Sequence, residues 1–256
     1  MIDASSFTMI RLLSGAIILL AILNLTHKNN SMSPKGSWKS AFMLFLYAAS
    51  FSFAYISLDT ATGALILFGS VQITMVLASL YFGEKLIQPE WLGLLIAFSG
   101  FVYLILPEIG TPSLLGSVLM TIAGVAWGVY TLSGKGAENP LVETTFNFIR
   151  TLPLVMILFL FSFQYSTLSL KGIVFAVLSG GLASGIGYAV WYMALKGLSS
   201  IQASVVQLFV PLIAALGGVF FINETLSFRM VIASFLILGG VFVVVGGRHY
   251  SNQPKL

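Results

Sequence analysis

Nine runs of about twenty apolar residues, at 5–25, 38–58, 61–82, 90–107, 113–133, 141–163, 172–194, 199–221 and 226–246, restrict what this chain can become. An apolar run of that length spans a bilayer as a helix, because lipid offers no hydrogen bonds to an open backbone. Strands of a membrane barrel would alternate apolar and polar residues, whereas these blocks are apolar on every face. Only 8% of the residues are charged and 58% are hydrophobic, against roughly 25% charged in a soluble domain. The reading is an all-α, polytopic helical membrane protein with nine transmembrane helices.

The connections carry turn residues: Asn29-Asn30-Ser31-Met32-Ser33-Pro34, Gln88-Pro89, Pro107, Thr111-Pro112 and Glu138-Asn139-Pro140. The first run has no basic leader and no small-residue cleavage site, so it reads as a span rather than a signal peptide. If the spans alternate, Lys28, Lys35, Lys39, Lys85, Lys135, Lys196, Arg248 and Lys255 share one side, and Lys171 and Arg229 the other. Basic residues gather on the cytoplasmic side. That bias predicts a cytoplasmic C-terminus and an outer N-terminus, in the inner (plasma) membrane of a bacterium.

The chain repeats itself at a spacing near 140. Phe7-Thr8-Met9-Ile10-Arg11 matches Phe146-Asn147-Phe148-Ile149-Arg150, and Phe82-Gly83-Glu84-Lys85-Leu86 matches Ile222-Asn223-Glu224-Thr225-Leu226. Ser99-Gly100-Phe101-Val102 matches Gly239-Gly240-Val241-Phe242, and Tyr55-Ile56-Ser57-Leu58 is similar to Tyr192-Met193-Ala194-Leu195. The two arginine spans lie five spans apart. Five is odd, so the copies run in opposite senses, as in carriers that alternate access between inverted repeats. The copies are residues 1–111, with four helices, and residues 112–256, with five. The first copy lacks a counterpart of the 113–133 helix, so nine spans stand where a five-helix repeat implies ten.

These features resemble the EamA-like branch of the drug/metabolite transporter superfamily. The resemblance rests on Gly83-Glu84-Lys85-Leu86 with Gly100, and on Asn223-Glu224-Thr225-Leu226 with Gly240. It also rests on Tyr192-Met193-Ala194-Leu195 ahead of a helix carrying Pro211, on Trp127, and on Arg11 and Arg150. The pattern covers nearly the whole chain. It departs from the family at Val71, which stands where the second copy has Pro211, and at the absent opening helix. The resemblance implies transport of small polar or amphipathic metabolites, such as amino acids or related compounds.

A carrier needs polar or aromatic groups facing a path at membrane depth, where they are costly unless they meet water, solute or one another. In the 199–221 run, Ser200, Ser204, Gln207 and Pro211 share one helical face, and Pro211 frees a carbonyl one turn earlier. Ser204 and Gln207 are therefore candidate substrate contacts, with helix–helix hydrogen bonding as the alternative. Tyr188 and Trp191 share a face with Ser184, while Gly181 and Gly185 offer a close helix approach. Trp127 with Tyr130, and the Tyr47/Phe51/Tyr55 stripe, are further aromatic candidates; interface anchoring is their alternative. Gln72 is a deep amide. Arg150 lies well inside its span, with Glu143 and Asn147 on its face as a Glu–Asn–Arg ladder, and Arg11 repeats the feature nearer a span end. Asn147 and Arg150 are candidate contacts for an anionic substrate group, with snorkelling or a scaffold hydrogen bond to a carbonyl as the leading alternative.

All eight carboxylates lie at or near span ends, and His27 and His249 lie in a loop and in the tail. A proton-coupled carrier commonly relays through mid-membrane acids or histidines, so the expectation is facilitated transport or exchange. The chain has no cysteine and no cluster for a metal or cofactor. It has no Walker-type run for ATP and no basic stripe for nucleic acid. The expected partners are a small-molecule metabolite and the lipid bilayer, with a homodimer as an available assembly. A nonconductive scaffold or decayed carrier is the alternative. An integral-membrane enzyme would need clustered acids, histidines or cysteines that are absent.

Overall fold

In the computed structural model, residues 2–26, 35–106, 112–222 and 227–251 are described, and every regular element among them is helical. The elements are α1 (Ala4–Thr26), α2 (Trp38–Ala54), α3 (Thr60–Tyr81), α4 (Gln88–Ile105), α5 (Leu114–Gly134) and α6 (Pro140–Ser162). After a 3-10 turn at Phe163–Tyr165 follow α7 (Leu170–Leu178), a π-helical segment (Ser179–Ile186) and α8 (Gly187–Ala194). The last are α9 (Ser200–Val206), α10 (Phe209–Ile222) and α11 (Phe228–Ser251). His27, Lys28, the Asn29–Pro34 turn, Pro107, Glu108, Thr111, Asn223–Leu226 and Lys255 lie outside the described residues, as do the side chains of Arg248 and His249.

The expected spans are all helical. Among the described residues, eight stretches are long and apolar enough to cross a membrane; the remaining expected span, α2, has 17 residues, at the short end for a span. It stops at Ala54 because Tyr55–Ser57 tighten into a turn and Asp59 then caps α3 by accepting from Thr62 N at 2.8 Å. The 172–194 run departs from one uniform α-helix through its π segment. The 199–221 run breaks at Gln207–Leu208.

Short polar residues start these helices, satisfying amide groups that have no partner within the helix. Ser37, Ser113, Asn139, Ser169 and Ser199 accept from the amides of Ser40, Gly116, Val142, Gly172 and Gln202. Asp3 Oδ1 accepts from Ser6 N at 2.9 Å, and its Oδ2 accepts from Thr167 N at 2.8 Å. Carboxylates at span ends are thus put to use as caps.

The chain forms two compact units, each drawing on both sequence halves. The first comprises α1, α2, α5, α6, α7, the π segment and α8; the second comprises α3, α4, α9, α10 and α11. In the first, α1 packs on α6 and the π segment, and α2 packs on α5 and α6. Gly180 brings the π segment against α1 so closely that a Cβ there would stand 2.0 Å from Arg11 O and 2.1 Å from Ser14 Oγ. Small residues permit such approaches in lipid, where helices associate by packing and hydrogen bonds.

In the second unit, α4 and α11 form the main pair. A Cβ on Gly93 would meet Gly240 O at 2.5 Å, and one on Gly240 would meet Gly93 O at 2.5 Å. Gly100 lies against Leu236 and Ile237 in the same seam. Ala97, Phe101, Ile201, Val205, Leu208, Ile237 and Val244 are buried together around it.

Candidate functional site

The first unit gathers side chains from all its long helices around Arg11. Arg11 stands about 10 Å along α1 from Ala4 at 1.5 Å per residue, is only 6% exposed, and lies among apolar residues. Its Nε donates to Ser184 Oγ at 2.9 Å. Its Nη2 donates to Tyr47 Oη at 3.3 Å and to Tyr188 Oη at 3.1 Å. The guanidinium carbon lies 5.4 Å from the ring centres of both Tyr47 and Phe51, within cation–π reach.

Aromatic rings extend the cluster. Trp127 on α5 packs against Tyr47 at 5.0 Å, Tyr188 at 4.6 Å and Tyr130 at 5.8 Å between ring centres. Phe148 on α6 meets Tyr188 at 5.9 Å, and Tyr130 meets Tyr192 edge-on at 5.5 Å. Phe51 links Tyr47 to Tyr55 at 4.8 Å, leaving Tyr55 at the outer end of the α2 stripe. The π segment delivers Ser184 and α8, directly after it, Tyr188; the wider turn sits where helix geometry often departs from regularity at functional sites.

Asn147 and Arg150 do other work. Asn147 Oδ1 accepts from Ser37 N at 3.0 Å, and Arg150 Nη1 donates to Lys35 O at 2.9 Å and Phe146 O at 3.3 Å. They tie the start of α2 to α6, and Arg150 turns to these carbonyls rather than to Glu143. Beside them, Ser40, Gly134, Glu143, Thr144, Asn147 and Tyr192 line a cavity of about 10 Å³, room for a single water. Tyr130 Oη lies near Asn147 and Tyr192, buried and completing no hydrogen bond; Trp191 Nε1 is likewise sealed without one. At the exposed rim, Lys35 pairs with Glu138. That contact holds the Glu138 carboxyl below its usual range and raises the Lys35 ammonium.

Gln72, Ser204 and Gln207 belong to the second unit. Leu208 N bonds to Val205 O at 3.0 Å, a 3-10 step that leaves Ser204 O without its α-helical donor. Gln72 Nε2 on α3 takes that place at 2.9 Å. Gln207 Nε2 contacts Met75 Sδ at 3.1 Å. The carbonyl freed and partnered is therefore that of Ser204, three residues before Gln207.

Sequence reasoning undervalued Arg11 and Ser184. Apolar periodicity locates a span but not how its neighbours close over a given turn, so Arg11 read as a near-end charge. The signal that could have found it was its position two turns inside α1 together with Ser184, Gly180 and Gly185 in a glycine-rich stretch.

The EamA-like transporter family matches residues 1–106 and 114–246. An uncharacterized protein of Pseudomonas aeruginosa is 46% identical over 247 residues, which cover 96% of this chain and 86% of that protein. An uncharacterized transporter of Archaeoglobus fulgidus is 28% identical, covering 80% and 73% of the two chains. The uncharacterized transporter YoaV of Bacillus subtilis is 21% identical, covering 93% and 85%. A solved crystal structure shares the fold with a TM-score of 0.78 at 19% identity, covering 95% of this chain and 88% of that one. The family match spans both halves and the Pseudomonas relative nearly the whole length: this chain belongs to the EamA-like transporter family, within the drug/metabolite transporter superfamily, and is a membrane transporter.

Proposed function

We propose that this transporter is a secondary carrier of small metabolites, such as amino acids or related compounds, working by alternating access between inverted repeats at 1–111 and 112–256. Its C-terminus faces the cytoplasm and its N-terminus the outside of a bacterial inner membrane. Transport is facilitated or exchanging, because the carboxylates described at span ends act as caps and surface partners.

The observation that carries this reading is the cluster on Arg11. A buried guanidinium costs about 2.5–3.5 kcal/mol to place at mid-span; Ser184, Tyr47, Tyr188 and Phe51 converge on it from three other elements, and Trp127 and Phe148 pack behind Tyr188. Aromatic walls around a few convergent polar groups are the usual composition of a small-molecule site.

Purified protein in liposomes tests it. A metabolite panel should include a compound taken up saturably, with flux at least tenfold lower in Trp127→Ala and unchanged when a pH gradient is collapsed. Flux no greater than in empty liposomes across the panel would refute transport, and strict dependence on the pH gradient would refute facilitated exchange. Reporter fusions at Lys35 and Lys171 should land on opposite sides; the same side would overturn the topology.

A further inference from the structure

Arg11 carries five N–H donors, of which the structure uses three: one to Ser184 and one each to the two tyrosines. Nη1 makes no hydrogen bond among the described residues, and the side chain retains a small residual exposure. Its neighbours accept as neutral hydroxyls, which leave the positive charge uncancelled. Tyr47 and Tyr188 accept from Arg11 through Oη, and the Tyr188 hydroxyl is also bonded to Tyr47 and Ser184, which leaves one phenolic O–H to donate.

The first unit contains three carboxylates, and none is bonded to Arg11. Asp3 is held by Ser5, Ser6 and Thr167. Glu138 is paired with Lys35, and Glu143 borders a cavity with room for a single water. The cluster thus offers one full positive charge, two spare N–H groups on one nitrogen and one phenolic donor. Around them stand the rings of Trp127 and Phe51, with Phe148 fully buried behind Tyr188. It offers no anionic acceptor.

We infer that this cluster binds the carboxylate of a small organic acid, whose apolar ring-sized body lies on these aromatic side chains, and disfavours compounds carrying an ammonium beside that carboxylate. Arg matches a carboxylate with parallel N–H bonds, rings stack on the body, and an ammonium would be desolvated with nothing to accept from it. This rests on the carrier reading above and narrows it to the related organic acids, setting amino acids themselves aside.

Three probes of one size separate the charges: 3-phenylpropanoate (anion), phenylalanine (zwitterion) and phenethylamine (cation), titrated calorimetrically into purified protein in nanodiscs at pH 7. The expected result is binding of phenylpropanoate at least tenfold tighter than of the other two. Arg11→Gln should lose it by tenfold or more and Arg11→Lys by less. Tyr188→Phe, which keeps the ring and is the milder change should Arg11→Gln fail to fold, should weaken phenylpropanoate severalfold and leave phenethylamine unmoved. Equal or tighter binding of phenylalanine or phenethylamine overturns the inference. So does phenylpropanoate binding that survives both Arg11→Gln and Tyr188→Phe. Decanoate distinguishes a lipid-derived acid: tighter binding of decanoate overturns the ring-bearing assignment. Absence of binding by all probes overturns the inference while panel uptake in liposomes still stands; loss of both brings down the carrier reading as well.

Discussion

Replacing Gly180 with alanine should disable the Arg11 cluster without touching any of its side chains. The added Cβ would lie 2.0 Å from Arg11 O and 2.1 Å from Ser14 Oγ, against ordinary contact at 3.4 Å. The nearest obstruction is backbone, so α1 or the π segment must retreat by roughly 1.4 Å, the difference between those distances for a Cβ with ordinary packing. A retreat of that size along the contact stretches the 2.9 Å bond from Arg11 Nε to Ser184 Oγ to roughly 4.3 Å, beyond hydrogen-bond reach. Overpacking costs about 1–3 kcal/mol, and losing a hydrogen bond to a charged group costs about 1.5–3 kcal/mol. The expected destabilisation is therefore roughly 2.5–6 kcal/mol, summing those two terms. Thermal and SDS unfolding in matched lipid, with Gly239→Ala as the reference, reads it out. Gly239 has nothing within 4 Å of a built Cβ, so that variant should be neutral or gain up to about 1 kcal/mol in helix propensity. A Gly180→Ala protein as stable as the Gly239→Ala protein would show that α1 and the π segment do not meet backbone to backbone.

Three further outcomes are expected. Partial burial tends to raise the Asp3 carboxyl, but hydrogen bonds from Ser5, Ser6 and Thr167 hold it well below the usual carboxylate range. Asp3→Ala should therefore lower stability by about 0.5–2 kcal/mol, as for a lost helix cap, by a margin constant from pH 7 to about 5. That margin should shrink as pH falls below about 4, where the unfolded carboxyl takes up its proton; a margin that widens in acid would contradict the assignment. Gln72→Leu should cost about 0.6–2 kcal/mol by leaving Ser204 O without its donor, and unfolding at the wild-type midpoint would show that bond to be idle. Glu138→Gln breaks an exposed pair with Lys35 and should leave the thermal midpoint unmoved at 0.15 M salt; a fall of several degrees would mean the pair holds more than its own surface.

The helices were legible because lipid leaves a twenty-residue apolar run few alternatives, and their starts were marked by residues such as Ser37, Asp59 and Asn139 that cap amides locally. The tertiary use of single polar residues was not. Arg150 and Arg11 occupy matching places in the repeat, yet one clamps carbonyls of Lys35 and Phe146 while the other sits under two tyrosines. Nothing in the local pattern distinguishes them, because the difference comes from what the approach to α2 places at Arg150 and what α2, the π segment and α8 place at Arg11. The π segment itself escaped, since Ser179–Ile186 has a composition that suits a close α-helical approach equally well. Pro211 pointed to a freed carbonyl near Gln207, but the one left over is that of Ser204, because Leu208 N bonds to Val205 O.

The seam between α4 and α11 has a mechanical corollary. Where Gly93 and Gly240 face each other, each helix presents bare main chain to its neighbour, and rotating either rod about its own axis would wedge a neighbouring side chain into that gap. The pair is therefore locked like two splines, able to travel only as one stiff body. Under the alternating-access reading proposed above, such a pair would serve as a beam, and bending would come from places such as Gln207–Leu208, where the helical ladder is already interrupted.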